Sequence, residues 1–232
     1  MPCVASLSRL RPMAVFALAL TVSLASIGLG ATQARATGYG LYFDYAFGDV
    51  NPETYALGQR FDTSRLSAGF TMDSAVAKDK LYNYRLNLGY EQVRERVGDF
   101  VFAKYNGASI ENVFGFGVYR SPLMRVWLGP TLRLAGGVLD ESSTVVGPIP
   151  GSVIKFTGGG GLAFGVNVHT GDVGSAAFTL GYQLGYNGTF FTGGGVGVPS
   201  ASNGIENRVN FNFAYYFRGK GDRFEKRAAS GE

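Results

Sequence analysis

The segment Arg208–Phe217, RVNFNFAYYF, decides the fold of this 232-residue chain. Its odd-numbered residues, from Val209 to Phe217, are all large and apolar or aromatic, whereas most of its even-numbered residues are polar or small. Because side chains alternate between the two faces of a β-strand, this period of two predicts a strand with one apolar face and one mixed face.

The same alternation recurs in seven earlier segments, so the sequence predicts eight strands. The segments cover residues 38–48, 64–72, 81–91, 109–119, 125–134, 153–168, 175–186 and 208–217. Most are close to the roughly 9 to 11 residues that a tilted strand needs to cross a membrane. The connections between them are alternately long and short, which is typical of an up-and-down barrel. The second long connection, 92–108, is expected to contain strand extensions around Gly98 and Asp99.

Alternation alone is compatible with two kinds of barrel, a soluble one and a membrane-spanning one. A soluble barrel of the lipocalin kind turns its apolar set inward, and its other set then meets water and should be rich in Lys, Glu and Asp. Here the second set consists mainly of Gly, Ala, Ser, Thr and Asn. Glycine weakens a strand but fits a crowded interior, and tyrosines near the strand ends suit a membrane interface. The sequence therefore predicts an all-β, eight-stranded antiparallel up-and-down transmembrane β-barrel.

This pattern resembles the eight-stranded outer-membrane β-barrel superfamily, of which OmpA and OmpX are members. The resemblance covers residues 37–217 and rests on architecture, not on a diagnostic motif. The segment that ends at Phe217 is similar to the terminal aromatic signal that the barrel-assembly machinery reads in this superfamily. The resemblance implies a monomer in the outer membrane of a Gram-negative cell, in contact with outer-membrane lipid and lipopolysaccharide. Residues 218–232 are interpreted as a charged periplasmic tail.

The first 36 residues are interpreted as a cleaved secretory signal peptide. Two arginines precede the apolar run 13–29, and small residues at 34 and 36 precede the expected cleavage before Thr37. An uncleaved membrane helix is the alternative, because an apolar run of roughly 18 residues barely spans a bilayer. Cleavage is favoured, since a strand begins directly afterwards. The even number of strands, with short turns on one side and long loops on the other, predicts that both termini of the barrel lie in the periplasm.

Charge and cysteine content exclude several functions. The whole chain has a formal net charge of +4, but three of its arginines lie in residues 1–36 and the tail 218–232 is also basic. The barrel is thus close to neutral and lacks the basic surface of a nucleic-acid-binding protein. The only cysteine, Cys3, lies in the leader, so neither a disulfide nor a cysteine-ligated metal is expected in the barrel.

A lipid A-modifying enzyme is the catalytic alternative, because some eight-stranded outer-membrane barrels acylate or deacylate lipid A with a Ser and a His. Such chemistry needs a base beside its nucleophile and close to the lipid ester. The only histidine, His169, falls in a short turn on the periplasmic side, far from the outer leaflet. We therefore expect no enzymatic activity and no cofactor.

Charged residues on the mixed faces predict a network inside the barrel. An isolated charge in a confined lumen costs several kcal/mol, so these groups should be paired. The predicted network contains Asp44, Arg65, Arg85, Glu91, Glu111, Arg133, Lys155 and Arg208, with Glu206 beside them. It would plug the pore, and the alternative is a set of structural pairs without a gating role. Asp44 and Arg85 are expected near mid-height and the others nearer the outer mouth.

Three positions fit the strand pattern poorly. Pro130 lies within the fifth strand on the lipid face, where a β-bulge is expected because proline has no N–H to donate. Trp127 falls on the crowded inner face unless that bulge shifts the register. Asn112 is expected to face outward.

A group of basic residues marks the expected outer rim, where lipopolysaccharide phosphates are dense. These residues are Arg60, Arg94, Arg96 and Lys104, and they predict lipopolysaccharide contact, the alternative being an ordinary solvated loop surface. The sequence as a whole indicates a structural or surface-interaction role through long extracellular loops. A narrow channel or transporter for a small or hydrophobic solute is the alternative.

Overall fold

Eight β-strands form a closed barrel in the computed structural model, which describes residues 38–52, 60–74, 81–121, 123–142, 153–170, 174–191 and 203–217. The strands are β1 (Gly38–Pro52), β2 (Phe61–Asp73), β3 (Tyr82–Val97), β4 (Phe100–Arg120), β5 (Met124–Ser142), β6 (Val153–His169), β7 (Gly174–Phe191) and β8 (Gly204–Phe217). Each pairs antiparallel with the next, and β1 pairs with β8. The predicted fold class is confirmed. None of the described residues forms a helix long and apolar enough to cross a membrane.

The barrel is inverted relative to a water-soluble one. Along β1, Tyr42, Asp44 and Ala46 point inward and are at most 4% exposed, whereas Phe43 and Tyr45 point outward and are 48% and 42% exposed. The other strands follow the same pattern, with buried polar groups inside and a wide band of exposed aromatic and aliphatic side chains outside. Such a band suits hydrocarbon, and the alternation predicted from the sequence sets the inner and outer faces.

The strands are staggered around the ring. Following paired residues from Gly40 leads back to β1 at Val50, ten residues further along. The path passes through Thr71, Asn87, Glu111, Arg133, Gly159, Gly185 and Glu206. This stagger requires the strands to tilt by roughly 35–45° from the barrel axis. It also brings inward-facing residues that are distant in sequence to one level of the lumen.

The strands extend beyond their predicted limits at the long-connection end. The segment 92–108 is mostly strand, because β3 continues to Val97 and β4 begins at Phe100. The chain reverses at Gly98, whose φ of 59° favours glycine, and Asp99. The strand extensions expected around Gly98 and Asp99 are thus confirmed.

The three irregular positions have separate outcomes. Pro130 is exposed on the outer face, but the β4–β5 register shifts between Gly117 and Tyr119 and not beside Pro130, so the bulge was predicted at the wrong place. Trp127 is fully buried in the lumen. Asn112 lies on the outer side of β4 yet is buried, and its Oδ1 accepts a hydrogen bond of 2.6 Å from the Tyr84 hydroxyl.

Several predicted features lie outside the described residues. They are the signal peptide 1–36, the tail 218–232 and the greater part of the connections at 53–59, 143–152 and 192–202.

Candidate functional site in the barrel lumen

Twelve charged side chains are buried among the described residues, and all of them lie on inward-facing positions. Six are basic, namely Arg65, Arg85, Arg125, Arg133, Lys155 and Arg208. Six are acidic, namely Asp44, Asp73, Glu91, Glu95, Glu111 and Glu206. The lumen therefore holds equal numbers of cations and carboxylates, and its charges can neutralise one another.

Arg65 lies at the centre of the upper part of this network. Its Nη2 donates to Glu206 Oε2 at 2.6 Å and its Nε donates to Glu206 Oε1 at 3.1 Å. Its Nη1 donates to Glu91 Oε1 at 2.8 Å and to the Thr157 hydroxyl at 3.3 Å. Two-bond arginine–carboxylate pairs are among the strongest polar contacts in proteins. One guanidinium thus ties β2 to β3, β6 and β8.

Arg133 on β5 also binds Glu91, the carboxylate that Arg65 contacts from β2. From β5 it donates to Glu91 on β3 and to the Ser67 hydroxyl on β2, the latter at 3.0 Å. Its Nη1 lies 3.9 Å from Asp44 Oδ2 on β1, the strand farthest from β5 around the ring. A side chain that reaches from β5 to β1 crosses the whole lumen.

A second ion pair lies above these arginines. Lys155 on β6 donates to Glu95 on β3, and its ammonium group lies 5.0 Å from the centre of the Tyr105 ring. This pair also joins strands that are far apart around the ring.

Glu111 is held by neutral donors. It accepts hydrogen bonds from Gln183 Nε2 at 2.8 Å, Asn87 Nδ2 at 3.0 Å and the Thr131 hydroxyl at 3.3 Å. Gln183 lies on β7, across the lumen from β4, and it also accepts a hydrogen bond from Arg208. Glu111 and Arg208, both assigned to the network from sequence, are therefore joined through an amide.

Arg85 belongs to a separate cluster at the short-turn end. It pairs with Asp73, 3.1 Å away, and donates to the Thr179 hydroxyl at 2.8 Å and Asn167 Oδ1 at 3.1 Å. Its guanidinium carbon lies 4.9 Å from the centre of the Trp127 ring. The predicted mid-height position of Arg85 is wrong, because the register pairs Arg85 directly with Asp73 at the end of β2.

An apolar cluster lies above the ion pairs. Val93, Ala103, Tyr105 and Val153 are buried together, and Phe102 and Leu139 pack against them. Phe61, 2% exposed, packs edge-on against Phe102 with ring centres 5.5 Å apart. One small cavity lies between Val93, Tyr105 and Arg65, and another lies beside Arg133 and Arg208; each has about 10 Å³ of space, room for roughly one water molecule.

Sequence reasoning missed Asp73, Glu95 and Arg125. Asp73 lies one residue beyond the second predicted strand and Glu95 lies within the connection 92–108, yet both lie on inward-facing strand positions. The period-two pattern continues through Glu91, Val93 and Glu95, so extending the third predicted strand would have identified Glu95. Arg125 was placed on the inner face but left out of the network.

The four predicted rim residues lie at the long-connection end of neighbouring strands. Arg60 precedes β2 and pairs with Asp49 at 2.6 Å. Arg94 donates to Gln92, Arg96 donates to the Ser64 hydroxyl at 2.9 Å, and Lys104 lies 3.5 Å from Asp140. Arg60 and Arg94 are exposed, whereas Arg96 and Lys104 are partly buried.

His169 lies at the short-turn end of β6, and its Nδ1 is 2.9 Å from the Ser175 hydroxyl. Ser175 is fully buried, so this serine is not accessible to a lipid ester. No group of three or more His, Cys, Asp or Glu side chains suitable for a metal ion occurs within the described ranges.

A closed ring of eight antiparallel strands, with paired charges inside and an apolar band outside, defines a transmembrane β-barrel of the eight-stranded outer-membrane type. No family model matches the chain, and no curated protein matches it.

Similar solved structures include three barrels. Neisserial surface protein A has 14% sequence identity and a TM-score of 0.43, and the match covers 79% of this chain and 99% of that one. The outer membrane protein OprG from Pseudomonas aeruginosa has 10% identity and a TM-score of 0.39, with 79% and 96% covered. Ail, the attachment invasion locus protein of Yersinia pestis, has 9% identity and a TM-score of 0.34, with 79% and 99% covered. At these values the likeness extends to the fold alone, which the strand pairing establishes independently.

Proposed function

We propose that this protein is a non-conducting outer-membrane barrel that acts through its outer rim. The observation that carries the proposal is the balanced set of six buried cations and six buried carboxylates, cross-linked from wall to wall. The barrel supplies a rigid support, and the rim supplies the contacts, as is common where function lies on connections held by a scaffold.

The contacts of Arg65 and Arg133 support closure of the lumen. Together they join β1, β2, β3, β5, β6 and β8 at one level. For an ion or solute to pass, both arginines would have to leave their carboxylates without new partners. Separating buried ion pairs in this way costs several kcal/mol each. The apolar cluster around Val93 and Tyr105 adds a second barrier toward the long-connection end.

The rim contact that we propose is with the phosphates of lipopolysaccharide. Arg60, Arg94, Arg96 and Lys104 lie on or beside β2, β3 and β4 at the end that carries the long connections. Arginine guanidinium groups bind phosphate through two parallel hydrogen bonds. The neighbouring Asp49 and Asp140 would compete for these cations, so we expect phosphate to displace them at Arg60 and Lys104.

The same proposal assigns the barrel to the outer membrane as a monomer, with both termini in the periplasm and the terminal segment of β8 read by the assembly machinery. Support comes from the even strand number and from the aromatic residues that end at Phe217.

A liposome-swelling assay tests the proposal. Vesicles that contain the folded protein are diluted into isotonic solutions of glycine, arabinose or glucose. We expect swelling no faster than in protein-free vesicles, because the two cavities beside Arg65 and Arg133 each have room for roughly one water molecule. A porin reconstituted in parallel shows that the assay detects solute entry. Swelling that depends on solute size would contradict a closed lumen and favour the channel alternative.

A further inference from the structure

The apolar outer face of the barrel is taller on one side than on the other. On β3, the outward residues beyond Tyr90 are Gln92, Arg94 and Arg96, so the face turns polar. On β7, the outward residues at the corresponding positions remain uncharged and mostly apolar. They are Leu184, Tyr186, Gly188 and Phe190, of which Leu184 is 51% exposed and Phe190 is 57% exposed.

Strand position shows that these residues lie at similar heights. Both β3 and β7 rise from the short-turn end, and Arg94 and Tyr186 each lie twelve residues after the first residue of their strand. Phe190 lies sixteen residues along β7 and therefore higher than Arg94. Since β3 and β7 are on opposite sides of the ring, the difference divides the barrel into a polar side and an apolar side.

The neighbouring strands repeat the difference. Arg94 pairs with Lys104 on β4, whereas Phe190 pairs with Ile154 on β6. Ile154 is 39% exposed, and Val138 on β5 is 50% exposed at the same end. On β5 the apolar face ends at Val138, because Asp140 beyond it is exposed and pairs with Lys104. The upper apolar side therefore consists of β6 and β7, and the polar side of β3 and β4.

We propose that membrane hydrocarbon covers the outer face of β6 and β7 up to Ile154 and Phe190, while on β3 and β4 it ends below Arg94 and Lys104. The occupant is lipid because the upper apolar face continues directly from the transmembrane band through Leu180, Tyr182 and Leu184. A band taller than the bilayer is accommodated by tilt or by local thickening. The hydrocarbon boundary therefore slopes across the barrel, and the headgroup phosphates meet the basic residues on its lower side.

This inference rests on the membrane-spanning fold and not on closure of the lumen. It can be tested with single cysteines, since the chain has one cysteine, Cys3, which C3S removes. Fluorescent labels are attached to I154C and F190C on the apolar side and to the matched positions R94C and K104C on the polar side. A label at L162C, which is 66% exposed in the middle of the band, serves as the fully lipid-exposed reference. Heat-modified mobility in gels checks that each variant is folded.

Quenching by lipids brominated along the acyl chain is the readout. We expect labels at I154C and F190C to be quenched nearly as strongly as the label at L162C, and labels at R94C and K104C to be quenched weakly but to respond to aqueous iodide. Equal quenching at the two sides would overturn the proposal. Weak quenching at I154C and F190C, together with cross-linking between copies at these cysteines, would also overturn it and would assign the face to a second copy of the chain.

Discussion

Arg65 on β2 and Glu206 on β8 form a two-bond ion pair inside the barrel, although their strands are separated by β1. Both side chains are nearly inaccessible to solvent, at 1% and 3% exposure. The pair shows how the stagger of the barrel builds a polar core from residues distant in sequence.

Removing this carboxylate should destabilise the barrel strongly. We expect Glu206→Gln to lower the free energy of unfolding by about 3 kcal/mol, because it leaves a buried guanidinium without one of its two charged partners. Asp49→Asn is the matched control, since it breaks the exposed pair with Arg60 and should cost less than about 1 kcal/mol. Urea unfolding in lipid vesicles measures both, and equal effects would show that the buried pair contributes no more than a surface pair.

Fluorescence of the single tryptophan shows which face of β5 points into the lumen. Trp127 is the only tryptophan in the chain and is fully buried beside Arg85 and Asn167. Iodide should quench its fluorescence little. Brominated lipid should quench it much less than it quenches the double variant W127F/L128W, whose tryptophan would point outward. Leu128 is the control position because it follows Trp127 and is 48% exposed. Stronger lipid quenching of the wild-type protein than of the variant would reverse the two faces.

Glycine at position 165 leaves space for the Trp127 ring. A Cβ at Gly165 would collide with the ring atoms of Trp127, which are packed on all sides, so Gly165→Ala should lower stability by about 1–3 kcal/mol. At Gly136 the nearest atom to an added Cβ is the Lys155 carbonyl oxygen, 3.9 Å away, and Gly136→Ala should be neutral or slightly stabilising. Urea unfolding of the two variants measures both effects. Similar losses of unfolding free energy would show that the contact with Trp127 does not determine the effect of Gly165→Ala.

Lipopolysaccharide contact should depend on the rim cations and on salt. The triple variant R60Q/R94Q/K104Q is expected to retain less lipopolysaccharide during purification and to lose the salt dependence of binding, because charge–phosphate attraction is screened over about 10 Å at 0.1 M salt. Arg120→Gln, which removes an exposed cation at the opposite end of the barrel, should leave binding unchanged. Retention by the triple variant at the wild-type level would contradict phosphate recognition at this rim.

The alternation of the sequence was sufficient to predict the strands, their faces and the inward location of Trp127, because a period of two is a local property. It could not predict which inward charges meet. The pairing of Arg85 with Asp73 and of Lys155 with Glu95 depends on the register of several strands in succession, which no local pattern specifies. The bulge expected at Pro130 was wrong for a related reason. The register is the same on both sides of Pro130, and the β4–β5 irregularities lie between Lys104 and Tyr105 and between Gly117 and Tyr119.

Planar-bilayer recording of the wild-type protein tests the closed lumen most directly. We expect no steady conductance above that of the protein-free membrane over a wide range of voltage, because Arg65 and Arg133 are bound to carboxylates on other walls of the lumen. Large and steady single-channel currents from protein shown to be folded would contradict the account.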